Sequence, residues 1–153
     1  MCHHDDAYER KNISSLFLRH RYHQQALGLP LEDRNILWYS TDQKDRFLRE
    51  GVDEKRVDEL FAACSAVICY NDEIALRVIS YLNKTGLSVP GDVAVVSFDN
   101  SQYSELSVPR ITSLSHAPFN VGRMVAELLF HSLSGAPCAS ALAPWTLIEK
   151  ESS

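Results

Sequence analysis

The chain has 153 residues, 45% of them hydrophobic, which is enough to bury the core of one domain without a disulfide framework. Fifteen basic against twenty acidic residues leave a formal charge of -5, the wrong sign for a face that must cover phosphates, so direct DNA binding by this segment is not expected. No apolar run approaches the roughly 18 residues needed to cross a bilayer, and the opening MCHHDDAYERK lacks the apolar centre of a signal peptide; a soluble cytoplasmic protein with no membrane partner is expected.

The amino terminus carries Cys2, His3 and His4. Cys2, Cys64, Cys69 and Cys138 have neither C-x-x-C spacing nor a neighbouring His pair, so reduced and mostly buried thiols are expected, with no metal and no cofactor. Adjacent His side chains diverge in an extended stretch, which makes His3 and His4 an ordinary exposed pair. Residues 13–27 read as a helix whose basic and aromatic content, Arg19 to His23, blurs the apolar period; a solvated face accounts for it.

From residue 35 to residue 149 short apolar runs alternate with segments of helical spacing, the mark of β-α-β units and a parallel sheet. NILWY (35–39) is the first strand, and in 54–63 Val57, Leu60 and Phe61 fall on one helical face. SAVICY (65–70) reads as a fully apolar strand covered by helices on both sides. Asn71 and Asp72 stand where capping residues belong, before a helix with Ile74, Ala75, Val78, Ile79 and Leu82 in one stripe and Gly86 just past its end. Pro90-Gly91 turns the chain into a strand over 93–98. Residues 111–115 form a short strand or extended crossover, 121–133 an amphipathic helix ended by Gly135, and WTLIEK (145–150) a last strand.

In open α/β sheets ligands bind at the carboxyl ends of the strands. Two such ends are polar here, Tyr70-Asn71-Asp72 and Asp99-Asn100-Ser101. Asn offers donor and acceptor and a carboxylate offers paired acceptors, a set that suits sugar hydroxyls. Residues of these types at such places more often serve only as helix caps and turn formers. There is no Gly-rich phosphate loop, no G-x-S-x-G and no H-E-x-x-H, so catalysis is not expected.

The stretch SAVICYNDEIALRVISYLNKTGLSVPGDVAVVSFDNSQYSELSVPRITSLSH resembles the effector domain of LacI/GalR repressors, and NVGRMVAELLFHSLSG and PWTLIEKES resemble that family's closing helix and terminal strand. The likeness is specific from Ser65 onward and weak before it. CYNDEIAL with DNSQYSELSVPRITSLSHA is most similar to arabinose-responsive repressors, which join a GntR-type winged-helix reader to such a sensor.

The resemblance implies a periplasmic-binding-protein-like fold of two Rossmann-type subdomains clamping a sugar. Residues 1–153 would be a partial effector domain, chiefly the C-terminal subdomain with the closing helix and terminal strand, and the DNA reader would lie outside them. It implies that Asn71 and Asp99 hydrogen-bond sugar hydroxyls and that His116 lies near the ligand, although a lone His beside Pro118 is more often a structural contact. The family's cleft-mouth Arg falls on Asn12, with Arg10 as a substitute if the register slips by two; Thr41, with Trp38 and Tyr39 close by, falls near a customary aromatic. The expected partners are a sugar effector, L-arabinose or another pentose, and a second copy of the chain, with nucleic acid engaged only through the missing reader. A periplasmic-type sugar-binding protein and a dimerising segment with no ligand of its own are the alternatives.

Overall fold

A computed structural model describes residues 2–4, 24–28, 35–39, 54–116, 119–137 and 140–153. The expected helix over 13–27 lies outside these residues except for 24–27, of which 24–26 are helical.

The strongest local signals surround one helix, and the fold is organised on it. Asn71 adopts an extended conformation and its side-chain oxygen accepts from the Ile74 amide at 3.0 Å, satisfying one of the donors a helix start leaves open. Asp72 and Glu73 place negative charge in the first turn, where the helix dipole favours it. At the other end Gly86, with φ of +86°, takes the left-handed position, and the Gly86 and Leu87 amides close back on the carbonyls of Asn83 and Leu82.

Taking the elements in chain order, β1 is Cys2–His4, β2 is Leu37–Tyr39, α1 is Glu54–Ala62, β3 is Ala66–Ile68 and α2 is the helix just described, Asp72–Lys84. They are followed by β4 (Ala94–Phe98), α3 (Gln102–Leu106), β5 (Thr112–Ser115), α4 (Val121–Leu133) and β6 (Thr146–Ile148). The five stripe residues of α2, Ile74, Ala75, Val78, Ile79 and Leu82, are all buried, packed with Val57, Phe61, Val67, Val95 and Ile111. Full burial of each large aliphatic side chain is worth about 1.5–3 kcal/mol, so this stripe supplies much of what holds the layer together. Between α1 and α2, the Tyr81 hydroxyl donates to Asp58 at 2.6 Å and the Phe61 and Tyr81 rings meet at 5.8 Å.

The main sheet runs β3-β4-β5-β6, with β3, β4 and β5 parallel and β6 antiparallel to β5. An all-parallel sheet was the expectation from the alternating pattern; the sheet is mixed. The chain leaves β5, runs through α4 and comes back along the open edge in the opposite sense, an arrangement that otherwise parallel sheets commonly carry at one edge.

One further expectation is corrected. β3 is not covered on both faces: Val67 is buried beneath α2, whereas Ala66 and Ile68, on the opposite face by strand alternation, are exposed. α3 was not anticipated, because five residues are too few to display a helical period; Ser101 caps it by accepting from the Tyr103 amide at 3.3 Å. β1 was likewise not anticipated, and it pairs in parallel with β2 in a separate two-stranded sheet.

The carboxyl-terminal tail completes the sheet. Ser152 is buried beside β4 and β5: its carbonyl accepts from the Val95 amide at 2.7 Å, and its hydroxyl accepts from the Thr112 amide at 2.9 Å while donating to the Val95 carbonyl. Backbone groups that the strand ladder leaves open are thereby paired.

Candidate functional site

Because β3, β4 and β5 are parallel, their carboxyl ends share one edge of the sheet, and the loops that leave them carry Asn71, Asp99 and His116. The antiparallel sense of β6 adds a fourth element. Ser115 pairs with Thr146, so the residue entering β6, Trp145, stands at that same edge. A parallel β6 would have put Trp145 at the far end of the sheet.

A cleft of about 540 Å³ opens there, lined by Asp99, Ser115, His116, Phe119, Asn120, Val121 and Trp145. The structure therefore brings together two of the residues expected from sequence, Asp99 and His116. Asn71 is half-buried at the start of α2, with its oxygen engaged in the cap, and is not part of this lining. Asn12 and Arg10, and Thr41 with them, lie outside the described residues.

Asp99 is exposed and has a φ of +97°, followed by Asn100 at +49°. Two successive non-glycine residues in the left-handed half of φ space are sterically costly and need surroundings that enforce them. Here the Asp99 amide donates to the Leu114 carbonyl at 2.9 Å and the Asn100 amide to the Ser113 hydroxyl at 3.0 Å. The reversal lifts the chain out of β4 and presents Asp99 at the cleft.

His116 is held by a contact from Nδ1 to the Pro144 carbonyl at 3.0 Å. A carbonyl can only accept, so Nδ1 carries the proton, and in the neutral ring Nε2 is the acceptor. The imidazole lies against Trp145 with ring centroids 3.7 Å apart, and Phe98 meets the other side of that corner edge-on at 5.5 Å. The cleft thus combines a carboxylate, an imidazole acceptor and an aromatic wall. This arrangement suits a small polar molecule that also has an apolar face. Among the described residues there is no group of three His, Cys, Asp or Glu side chains that could hold a metal ion.

Trp145 and Phe119 were missed as site residues. The available signal was an aromatic residue immediately before the last strand, but its use required the direction of that strand. Asp72 differs in role from its neighbour Asn71. It is 1% exposed, and its carboxylate accepts from the hydroxyls of Ser97 and Ser113 and from the Ser101 amide, so it serves the architecture rather than the ligand. Cys69 is buried and Cys64 half-buried, both as reduced thiols.

Fold and cleft together define an α/β domain with a cleft at the strand ends. The whole chain, residues 1–153, matches the periplasmic binding protein-like domain, and the protein belongs to that family as an effector domain of the LacI/GalR type. Domains of this type are regulatory rather than catalytic. The chain is 28% identical over 121 residues to the arabinose metabolism transcriptional repressor of Geobacillus stearothermophilus, covering 74% of this chain and 31% of that protein.

Among solved structures, the transcriptional regulator CelR in complex with cellobiose superposes with a TM-score of 0.69 at 23% identity, covering 87% of this chain and 40% of the other. A periplasmic binding protein/LacI transcriptional regulator from Alkaliphilus metalliredigens QYMF, complexed with D-xylulofuranose, gives 0.61 at 22% identity, covering 90% and 50%. At these identities the structures speak for the fold. The chain spans about a third of the length of the curated arabinose repressors it matches. Among the described residues no helix is long and apolar enough to cross a membrane.

Proposed function

We propose that this chain is the sugar-sensing part of a bacterial transcriptional repressor and that its effector is L-arabinose or another pentose. The observation that carries the reading is the cleft at the strand ends, where Asp99, His116 and Trp145 converge within a LacI/GalR-type domain. The Asp99 carboxylate accepts from two neighbouring sugar hydroxyls, His116 Nε2 accepts from a third, and the Asn71 amide group donates from the start of α2. Trp145, backed edge-on by Phe98, shields the apolar C–H face of the ring. The cleft-mouth contact falls to Asn12, or to Arg10 if the register is shifted by two residues.

In this proposal residues 1–153 form chiefly the second subdomain of a two-subdomain clamp. Closure on the sugar is coupled to an attached DNA reader, so that effector binding and operator binding share a coupling free energy. The working assembly is a homodimer in the cytoplasm. The resemblance to arabinose-responsive repressors and the name of the Geobacillus stearothermophilus relative support the pentose.

Titration calorimetry with a panel of pentoses, hexoses and disaccharides tests the reading. A pentose is expected to bind best, and Asp99→Ala to weaken it by more than about 1 kcal/mol, the least that loss of a hydrogen bond to a charged group normally costs. Absence of heat with every sugar, or an unchanged affinity in Asp99→Ala, contradicts it.

A further inference from the structure

The cleft's carboxylate sits on a backbone segment that local sequence does not favour, and the structure contains an anchor for it. Asp99 and Asn100 both have positive φ without being glycine. The bonds that fix the segment on its far side converge on one buried group. Asp72 Oδ2 accepts from the Ser101 amide at 2.5 Å, and Oδ1 accepts from the Ser113 hydroxyl at 2.7 Å and from the Ser97 hydroxyl. Ser113 in turn accepts from the Asn100 amide at 3.0 Å. A carboxylate that is 1% exposed is thus bonded to β4 through Ser97, to β5 through Ser113 and to the loop after β4 through Ser101.

We infer that Asp72 is a positioning residue for the effector site: it holds the Asp99-Asn100 reversal in its left-handed form and so fixes where the Asp99 carboxylate stands in the cleft. This rests on the sugar-binding reading for its functional consequence, but not for its structural one. A charged acceptor with two oxygens can take three donors at once, two hydroxyls and an amide, and burial makes each of these bonds directional and costly to lose. Capping α2 alone would not require this residue, because Asn71 already does it. Asp72 also couples two parts of the proposed site, since it follows Asn71 directly and holds the segment that carries Asp99.

The inference is tested on two readouts. The first needs no ligand: amide hydrogen exchange at Asn100 and Ser101 in the wild type, in Asp72→Asn and in the milder Ser113→Ala. The two amides are expected to lose protection by ~10-fold or more relative to core amides of α2 such as Val78 and Ile79. The second is sugar affinity in a double-mutant cycle with Asp99→Ala. Asp72→Asn and Ser113→Ala are each expected to weaken the best-binding pentose by ~10-fold, and that loss should vanish when Asp99 is already Ala. A residue of purely structural importance would give the same loss in both backgrounds.

Unchanged exchange at Asn100 and Ser101 in both variants overturns the positioning role, and so does full additivity in the cycle. If Asp72→Asn does not fold, Ser113→Ala carries both readouts. If the wild type binds no sugar, the effector reading fails and the positioning role is decided by exchange alone.

Discussion

Among the described residues two helices, α2 and α4, run for thirteen residues; they are built from equally complete local signals and end in opposite circumstances. α4 is capped by Asn120, whose side chain accepts from the Arg123 amide at 2.9 Å, is braced by an Arg123–Glu127 pair one turn apart, and stops at Gly135 with φ of +73°. α2 buries six residues, including Asp72; α4 buries none. Val125, Leu129, Phe130 and Leu133 of α4 are between 55% and 75% exposed. Helix formation is decided within the segment, but burial is decided by what lies opposite. The apolar stripe of α2 has a sheet beneath it, whereas among the described residues that of α4 has no comparable cover.

That contrast predicts a steep ordering of substitution costs, measured by urea denaturation. Ile79→Ala in α2 removes fully buried aliphatic atoms and should cost about 2–5 kcal/mol, as for other core truncations. A cost below 1 kcal/mol would mean that the layer between α2 and the sheet is loose. Asn71→Ala removes the α2 cap bond and should cost about 1 kcal/mol.

Acid should act on the packed region in a defined direction. Hydrogen bonds from the Ser88 hydroxyl and amide hold the Asp92 carboxyl, in the turn between α2 and β4, below its ordinary value; bonds from the Arg110 amide and side chain do the same for Glu151. A folded-state value below the unfolded one contributes stability that is present above the unfolded pKa and lost as pH falls through the folded value. The urea midpoint should therefore be flat near neutrality and fall below about pH 4. Ser88→Ala should make that fall shallower; an unchanged acid limb would show that the Ser88 bonds do not matter to folding.

The smallest effect is expected in α4, where Leu129→Ser should change stability by no more than about 0.5 kcal/mol, as at other surface positions. A loss above 1.5 kcal/mol would erase the contrast between the helices and show that α4 is packed in solution.

The same division explains what could be read from the sequence. The α2 stripe, Gly86 as its terminator, the limits of α4 and the four strands of the main sheet follow from periodicity and capping residues over short distances. The direction of β6 does not, because strand sense is set by the path of the chain through 116–145 and leaves no mark in the apolar pattern of WTLIEK. Trp145 was lost as a site residue for that reason. Asp99 and His116 were legible as polar residues at strand ends. The left-handed reversal at Asp99 was not, since Asp and Asn take that conformation only where partners such as Ser113 and Leu114 enforce it. The exposed face of β3 was misjudged because an apolar strand looks the same with one covered face as with two.

The central claim is that the cleft formed by Asp99, His116 and Trp145 is where an effector sugar binds. Titrating the isotopically labelled protein with L-arabinose while following amide and indole resonances by NMR tests it most directly. The account predicts saturable shifts concentrated on the Asp99 and Asn100 amides, the His116 ring and the Trp145 indole, with the centre of α4 unaffected. Shifts that saturate elsewhere, or none with any pentose, would contradict it.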